Sequence, residues 1–127
     1  MLTKTKDIGN RGEELVTKFL MKHGLSVLER NYLRPWGEID IVAKNNAVVH
    51  FVEVKAKEIS SEGEKNNPNY RPEDHMHSWK VKRFRRIIET WIMDKDYDGE
   101  WRIDVAIAYV SQNKEIESVE MFWDIVL

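Results

Sequence analysis

Gly37-Glu38-Ile39-Asp40-Ile41-Val42-Ala43, then Asn45-Asn46, then Val48-Val49-His50-Phe51-Val52-Glu53-Val54-Lys55-Ala56 is the stretch whose reading decides the fold. The first part alternates Ile39, Ile41 and Ala43 against Glu38, Asp40 and Val42. The second is a β-branched run, and the asparagine pair between them suits a two-residue hairpin turn. Strands over Glu38 to Ala43 and Val48 to Ala56 are therefore expected. Side chains alternate faces along a strand, so Glu53 and Lys55 share one face while Val52 and Val54 take the other, toward a core. With Asn45-Asn46 as the turn, Asp40 opposes Phe51 and lies diagonal to Glu53, on the face of Glu53 and Lys55. Glu38 then stands opposite Glu53. A three-residue loop would reverse this parity.

Upstream, Ile8, Leu15, Val16, Phe19 and Leu20 recur at helical spacing, which predicts a helix from Ile8 to His23 with Gly24 as its stop. Gly9 and Gly12 fall on its apolar face and predict close approach of another backbone. Glu13 sits at the edge of that face and Glu14 points away. Ser26 to Tyr32 reads as a strand running into the turn signal Arg34-Pro35-Trp36-Gly37. Downstream, Lys57 to Asp74 turns polar and reads as a long, mobile, functional loop. Trp79 to Met93 returns to helical spacing through Val81, Phe84, Ile87, Ile88, Trp91 and Ile92. Trp101 to Val110 and Ile116 to Val126 read as two further strands, joined through Ser111 to Glu115. The order αβββαββ implies a mixed sheet flanked by helices.

The chain has 127 residues, which fits one domain over 1–127, with 42% hydrophobic and 33% charged residues. It has no cysteine, so disulfides and thiolate metal sites are excluded. The start, MLTKTKDIGNRGEE, lacks the apolar core of a signal peptide, and the longest apolar run, Val105 to Val110, is too short to cross a membrane. A cytoplasmic protein is expected. Net charge is −2 with a pI near 6.1, which taken alone argues against a nucleic-acid partner. Yet between His75 and Ile88 stand five cations, Lys80, Lys82, Arg83, Arg85 and Arg86, and no acid. Such a local stripe can contact phosphates despite the overall balance.

Crowded carboxylates repel unless positive charge lies between them. Two acids with carbonyls and waters make the usual all-oxygen surroundings of Mg²⁺, and a lysine beside it can orient a water and offset charge on a phosphoryl group. The plainer alternative for Asp40, Glu53 and Lys55 is a cross-strand ion pair on a solvated face. Placing Glu53 and Lys55 within a strongly apolar strand favours the functional reading, since unpaired charge there is costly. Lys80 projects within the apolar arc of its helix, so it either snorkels to the edge or reaches the acids; Lys82 and Arg86 point the opposite way. His75 and His77 lack a third ligand and a cysteine, which argues against zinc. The five tryptophans read mostly as core, with Trp36 a candidate for base stacking or packing. Glu38 is a further ligand candidate or a partner to one. Asp104 reads as structural, pairing with Arg102 or a basic residue of the helix.

Gly9-Asn10-Arg11-Gly12-Glu13-Glu14, Asn31-Tyr32, Gly37 to Ala43 and Phe51-Val52-Glu53-Val54-Lys55, in that order and spacing, resemble the YraN-like family of bacterial proteins. That family is related to Holliday-junction resolvases and to the PD-(D/E)xK nuclease superfamily. The resemblance implies a restriction-endonuclease-like core with catalytic residues Glu13, Asp40, Glu53 and Lys55. Asp40 and Glu53 would ligate Mg²⁺ or Mn²⁺, and Lys55 would orient water and stabilise charge. Glu13 would reach the metal through water or hold the geometry. Lys80 matches a lysine at the start of the family's second helix, and with Lys82, Arg83 and Arg86 it forms the expected nucleic-acid contact. Trp101-Arg102-Ile103-Asp104-Val105 is similar to the family's aromatic-Arg-Phe-Asp-Val strand. The stretch Lys57 to Ser78 departs from the pattern: it is longer than in typical members and lacks a recognisable Phe-Gly turn. The implied activity is metal-dependent endonuclease cleavage of DNA, on branched or flapped structures among others. The alternatives are a non-catalytic nucleic-acid-binding module that keeps the same core, and a protein-interaction domain. Resolvase-like nucleases commonly dimerise, so a homodimer is admitted, although no stretch marks an interface.

Overall fold

Helix α1 spans Lys4–Lys22, four residues earlier than the apolar periodicity predicts. The extension follows from Thr3, whose hydroxyl accepts a hydrogen bond from the Lys6 N–H at 3.2 Å and caps a polar first turn that carries no hydrophobic signal. Gly24 ends the helix with φ +86°, a conformation glycine adopts without a Cβ penalty. The computed structural model describes residues 3–65 and 68–127. Strands follow at β1 (Ser26–Arg34), β2 (Gly37–Asn45) and β3 (Val48–Glu58), then helix α2 (Ser78–Asp94), then strands β4 (Glu100–Val110) and β5 (Glu117–Phe122). The expected order αβββαββ is the observed one. The last strand is shorter than expected because the chain leaves the sheet after Phe122. The Ile125 N–H then donates to the Ile103 carbonyl.

The sheet is five-stranded in the order β1-β2-β3-β4-β5, antiparallel except for the parallel β3–β4 pair that α2 connects. Alternation sorts the core into two layers. Val42, Val49, Phe51 and Ile103 meet Phe84, Ile87, Ile88 and Trp91 of α2 on one face. Ile41, Ala43, Val52, Ala106 and Ala108 meet Val16 and Leu20 of α1 on the other. Each Val, Leu, Ile or Phe side chain among them contributes about 1.5–3 kcal/mol on full burial. A Cβ on Gly12 would meet the Ala56 Cβ at 2.7 Å, so the expected close approach holds there; at Gly9 it does not, since nothing lies within 4 Å. No helix among the described residues is long and apolar enough to cross a membrane.

The segment after β3 is not featureless. It carries two short 3₁₀ turns, Glu62–Glu64 and Pro72–His75. Ile59 is buried with Ile107 and Tyr109, and Tyr70 packs on Phe122 with ring centroids 5.6 Å apart. This segment covers the end of the α2 face that the helix does not reach. The core expectation for tryptophan is corrected: Trp91 is buried, whereas Trp79, Trp101 and Trp123 are exposed at 57%, 40% and 45%. Each of those three lies at or near an element's end, where periodicity continues but the ring meets a neighbour on one side only and stays largely in solvent.

Candidate active site at the open end of the β2–β3 hairpin

The hairpin turn falls at Asn46-Ala47 rather than Asn45-Asn46, with Asn46 at φ +34° and Asn45 paired to Val48. Each β2 residue from Ile41 to Asn45 therefore faces a β3 partner two positions further along than expected. Because the slip is two, same-face parity survives. The antiparallel ladder runs only as far as Ile41↔Val52. Beyond it, the Val54 N–H donates not to backbone but to Asp40 Oδ2 at 2.8 Å. The side chain of Asp40 thus closes a seam that the two strands leave open. Ile39 belongs to the α2 layer and Ile41 to the α1 layer, so Asp40 sits where β2 changes faces. Asn31 on β1, at φ +53°, marks the same irregularity.

The acids converge on this seam. Asn31 Nδ2 donates to Glu13 Oε1 at 2.8 Å and to Glu38 Oε1 at 2.9 Å, so one amide holds a carboxylate of α1 and one of β2. Glu38 stands opposite Leu33 of β1, and on the β3 side the shifted register, which ends at Ile41↔Val52, removes it from its expected place opposite Glu53. Glu13 also faces Arg30 at 3.9 Å, and the more exposed Glu14 takes that arginine at 3.0 Å. Burial is the main force pushing the Asp40 carboxyl up to about 7; the Val54 N–H opposes it, and the charges of Glu13, Glu38 and Glu53 push further upward. An acid that shares a partly buried seam with three others ionises reluctantly.

Glu53 and Lys55 project on the α2 face, as alternation requires. Glu53 Oε1 pairs with Lys80 Nζ at 2.9 Å, while Oε2 is buried without a hydrogen-bond partner. Lys80 therefore reaches the acids from the first turn of α2 rather than snorkelling away from them. Burial, and then the charge of Lys80, hold the Lys55 ammonium below its ordinary pKa, with Glu53 opposing. Among the described residues Lys55 makes no ion pair. A groove of about 380 Å³ opens over this face, walled by Glu38, Glu53, His77, Trp79, Lys80 and Arg83. The side chain of His75, the other half of the His-x-His pair, lies outside the described residues.

The basic stripe divides. The Arg83 guanidinium lies 5.5 Å from the Trp79 ring centroid at the groove, and that of Arg86 lies 4.8 Å from Trp36 one turn on. Trp36 donates through Nε1 to Thr90 Oγ1 at 3.0 Å, which favours packing over stacking for that residue. Lys82 is exposed and sits roughly 200° around the helix from Lys80, away from the groove. Arg85 donates to the Leu127 carbonyl at 2.5 Å.

Two residues escaped the sequence reading. Asn31 was visible only as part of a motif, and its bridging needs a positive φ that no local pattern announces. His50 and Asp104 form a buried pair, Nδ1–H donating to Oδ2 at 2.6 Å, and Asp104 Oδ1 accepts the Asp124 N–H at 2.7 Å. This corrects the expected pairing of Asp104 with Arg102, which instead bonds Glu100 at 3.1 Å. The signal lay in two polar residues on inward positions of adjacent apolar strands.

Comparison with known proteins follows the same stretch of chain. A UPF0102 protein of Campylobacter hominis is 32% identical over 112 residues, 88% of each chain. One of Flavobacterium psychrophilum is 31% identical over 97% of this chain and 96% of its own. One of Desulfitobacterium hafniense is 34% identical over 91% of both. Residues 12–108, from the close-packed Gly12 through β4, match the model of this family, and the chain belongs to the uncharacterised protein family UPF0102.

Proposed function

We propose that the protein is a metal-dependent endonuclease that hydrolyses DNA phosphodiester bonds on a restriction-endonuclease-like core of PD-(D/E)xK type. The observation that carries this reading is the open seam, where Asp40 is buried against Glu13, Glu38 and Glu53 with Lys55 beside them. The donor set suits Mg²⁺ or Mn²⁺: hard carboxylate oxygens, one of them the buried and unpartnered Glu53 Oε2. Asp40 and Glu53 would hold the cation, and Glu13 would steady the arrangement through Asn31. When bound, the cation supplies positive charge that polarises a phosphoryl oxygen and a water. Lys55, which makes no ion pair among the described residues, donates hydrogen bonds to the attacking water and to the phosphoryl oxygens on which charge develops. The water oxygen attacks phosphorus and gives up a proton to solvent, the bond to the departing sugar oxygen breaks, and that oxygen takes up a proton to leave as a hydroxyl. Lys80 and Arg83 place positive charge along the groove for the flanking phosphates.

A non-catalytic nucleic-acid-binding module has one observation in its favour: Lys80 already occupies Glu53 Oε1. One assay separates the two readings. Linear duplex, single-stranded, flapped and four-way-junction DNA, and RNA, are incubated with Mg²⁺ and with Mn²⁺, alongside binding measurements in EDTA. Cleavage should be lost by orders of magnitude in Glu53→Ala while binding persists, and reduced in Lys55→Ala with metal binding retained. Binding without cleavage on every substrate would establish the non-catalytic module. Cleavage that survives Glu53→Ala would place the chemistry elsewhere.

A further inference from the structure

Tryptophan is ordinarily recruited to cover a core, and α2 shows both outcomes. Trp91 points inward, 4% exposed, with its Nε1–H on Glu29 at 2.9 Å. Trp79, on the first turn, lies roughly 140° around the helix from Phe84 and is 57% exposed. It does not stand in isolation on the surface. It walls the groove that holds Glu53 and Lys80, and the Arg83 guanidinium stands 5.5 Å from its ring centroid. An exposed indole steadied by a cation, with a second cation on the groove floor, matches one kind of ligand: a flat, π-faced group carried on an anionic chain.

We propose that Trp79 is a stacking platform for an unpaired base, so that the groove takes a single-stranded stretch of DNA, the base lying on the indole and the phosphates meeting Arg83 and Lys80. The inference rests on the nucleic-acid reading above and gives it a substrate form. Duplex DNA keeps the faces of its bases inside the stack and presents only edges and backbone, so an indole at the groove wall gains little from it. A splayed base offers its whole face. The cations serve either form, whereas Trp79 distinguishes them. Trp79 is thereby a positioning residue, acting on the strand beside the phosphate to be cut.

The test is binding by fluorescence anisotropy in EDTA, with three labelled probes: oligo(dT), a strand of abasic sugar-phosphates of equal length, and a blunt duplex. The wild type should bind oligo(dT) more tightly than the duplex. Trp79→Ala should weaken oligo(dT) about tenfold, the scale of one lost base–aromatic stack, and leave the abasic strand and duplex within about twofold. Trp79→Phe should retain most of the affinity for oligo(dT), and Arg83→Ala should weaken all three probes. Equal loss on the abasic strand, or no loss on oligo(dT), would overturn the stacking role while leaving the nucleic-acid reading in place. Failure of the wild type to bind any probe would overturn both.

Discussion

Asp40 and Asp104 are both withdrawn from water in the same sheet, and the chain treats them in opposite ways. Asp104 is fully buried, yet each of its oxygens has a partner: the His50 ring on one and the Asp124 N–H on the other. Asp40 is less buried but has one donor, Val54, and three neighbouring acids that raise its pKa. A buried carboxylate matched by donors ties strands together. A buried carboxylate matched by other carboxylates is a stability cost that a cation would relieve. The comparison separates structural acids from candidate functional ones without reference to motif.

The largest effect on stability should come from Asp104→Ala. It strands His50 Nδ1 in the interior and takes the acceptor from the Asp124 N–H at the sheet's edge, and breaking such a buried pair costs about 3–5 kcal/mol. Urea unfolding of this variant should show that loss, and a change under about 1 kcal/mol would dissolve the contrast from the structural side.

Asp40→Asn should do the reverse in metal-free buffer. A folded-state pKa of about 7, raised from 3.8, means that the neutral form favours the fold. Stability from this group is complete below about pH 4 and is lost as pH rises through about 7. In EDTA at pH 8 the asparagine variant should therefore exceed the wild type by on the order of 2 kcal/mol, and the two should converge near pH 4. Saturating Mg²⁺ should raise the wild-type Tm at pH 8 and leave that of Asp40→Asn unmoved. Thermal melts over that range check both statements, and a wild type more stable at pH 8 than at pH 5 in EDTA would count against the crowded-acid account.

The smallest effect concerns the cations of α2. If about three to five phosphates are contacted, log K should fall against log salt with a slope of roughly −0.9 per contact on duplex DNA. Replacing Arg83 and Arg86 by Ala should flatten that slope by up to about 2. Binding across a salt series checks it, and an unchanged slope would move the interface off α2.

Much of this contrast was legible in sequence, and the losses have physical reasons. Alternation alone placed Glu53 with Lys55, and helical spacing put Lys80 in the arc that reaches Glu53. The hairpin register was not legible. Asn45-Asn46 and Asn46-Ala47 are both acceptable turns, and a left-handed φ at one asparagine decides between them. Same-face parity along the paired part of the hairpin survived because the slip was even, whereas the change of faces at Asp40 was not legible. The opening of the seam was invisible, since no local pattern says that a carboxylate will take the place of a ladder carbonyl. The His50–Asp104 pair joins residues far apart in the chain diagonally across the parallel β3–β4 contact, where His50 faces Arg102 and Asp104 faces Val52, and only the assembled sheet brings them together. Tryptophan exposure was misread because periodicity shows which face a residue takes and not whether anything covers it.

In the function proposed above, Asp40 and Glu53 together hold a divalent cation. Crystals of the wild type and of Asp40→Asn, grown with Mn²⁺ and measured at the manganese absorption edge, test it most directly. The account predicts one anomalous peak in contact with the carboxylates of Asp40 and Glu53, with the Lys80 ammonium moved off Glu53, and no such peak in the asparagine variant. A wild-type map at saturating Mn²⁺ with no peak between those two carboxylates, and with the Lys80–Glu53 ion pair unchanged, would contradict it.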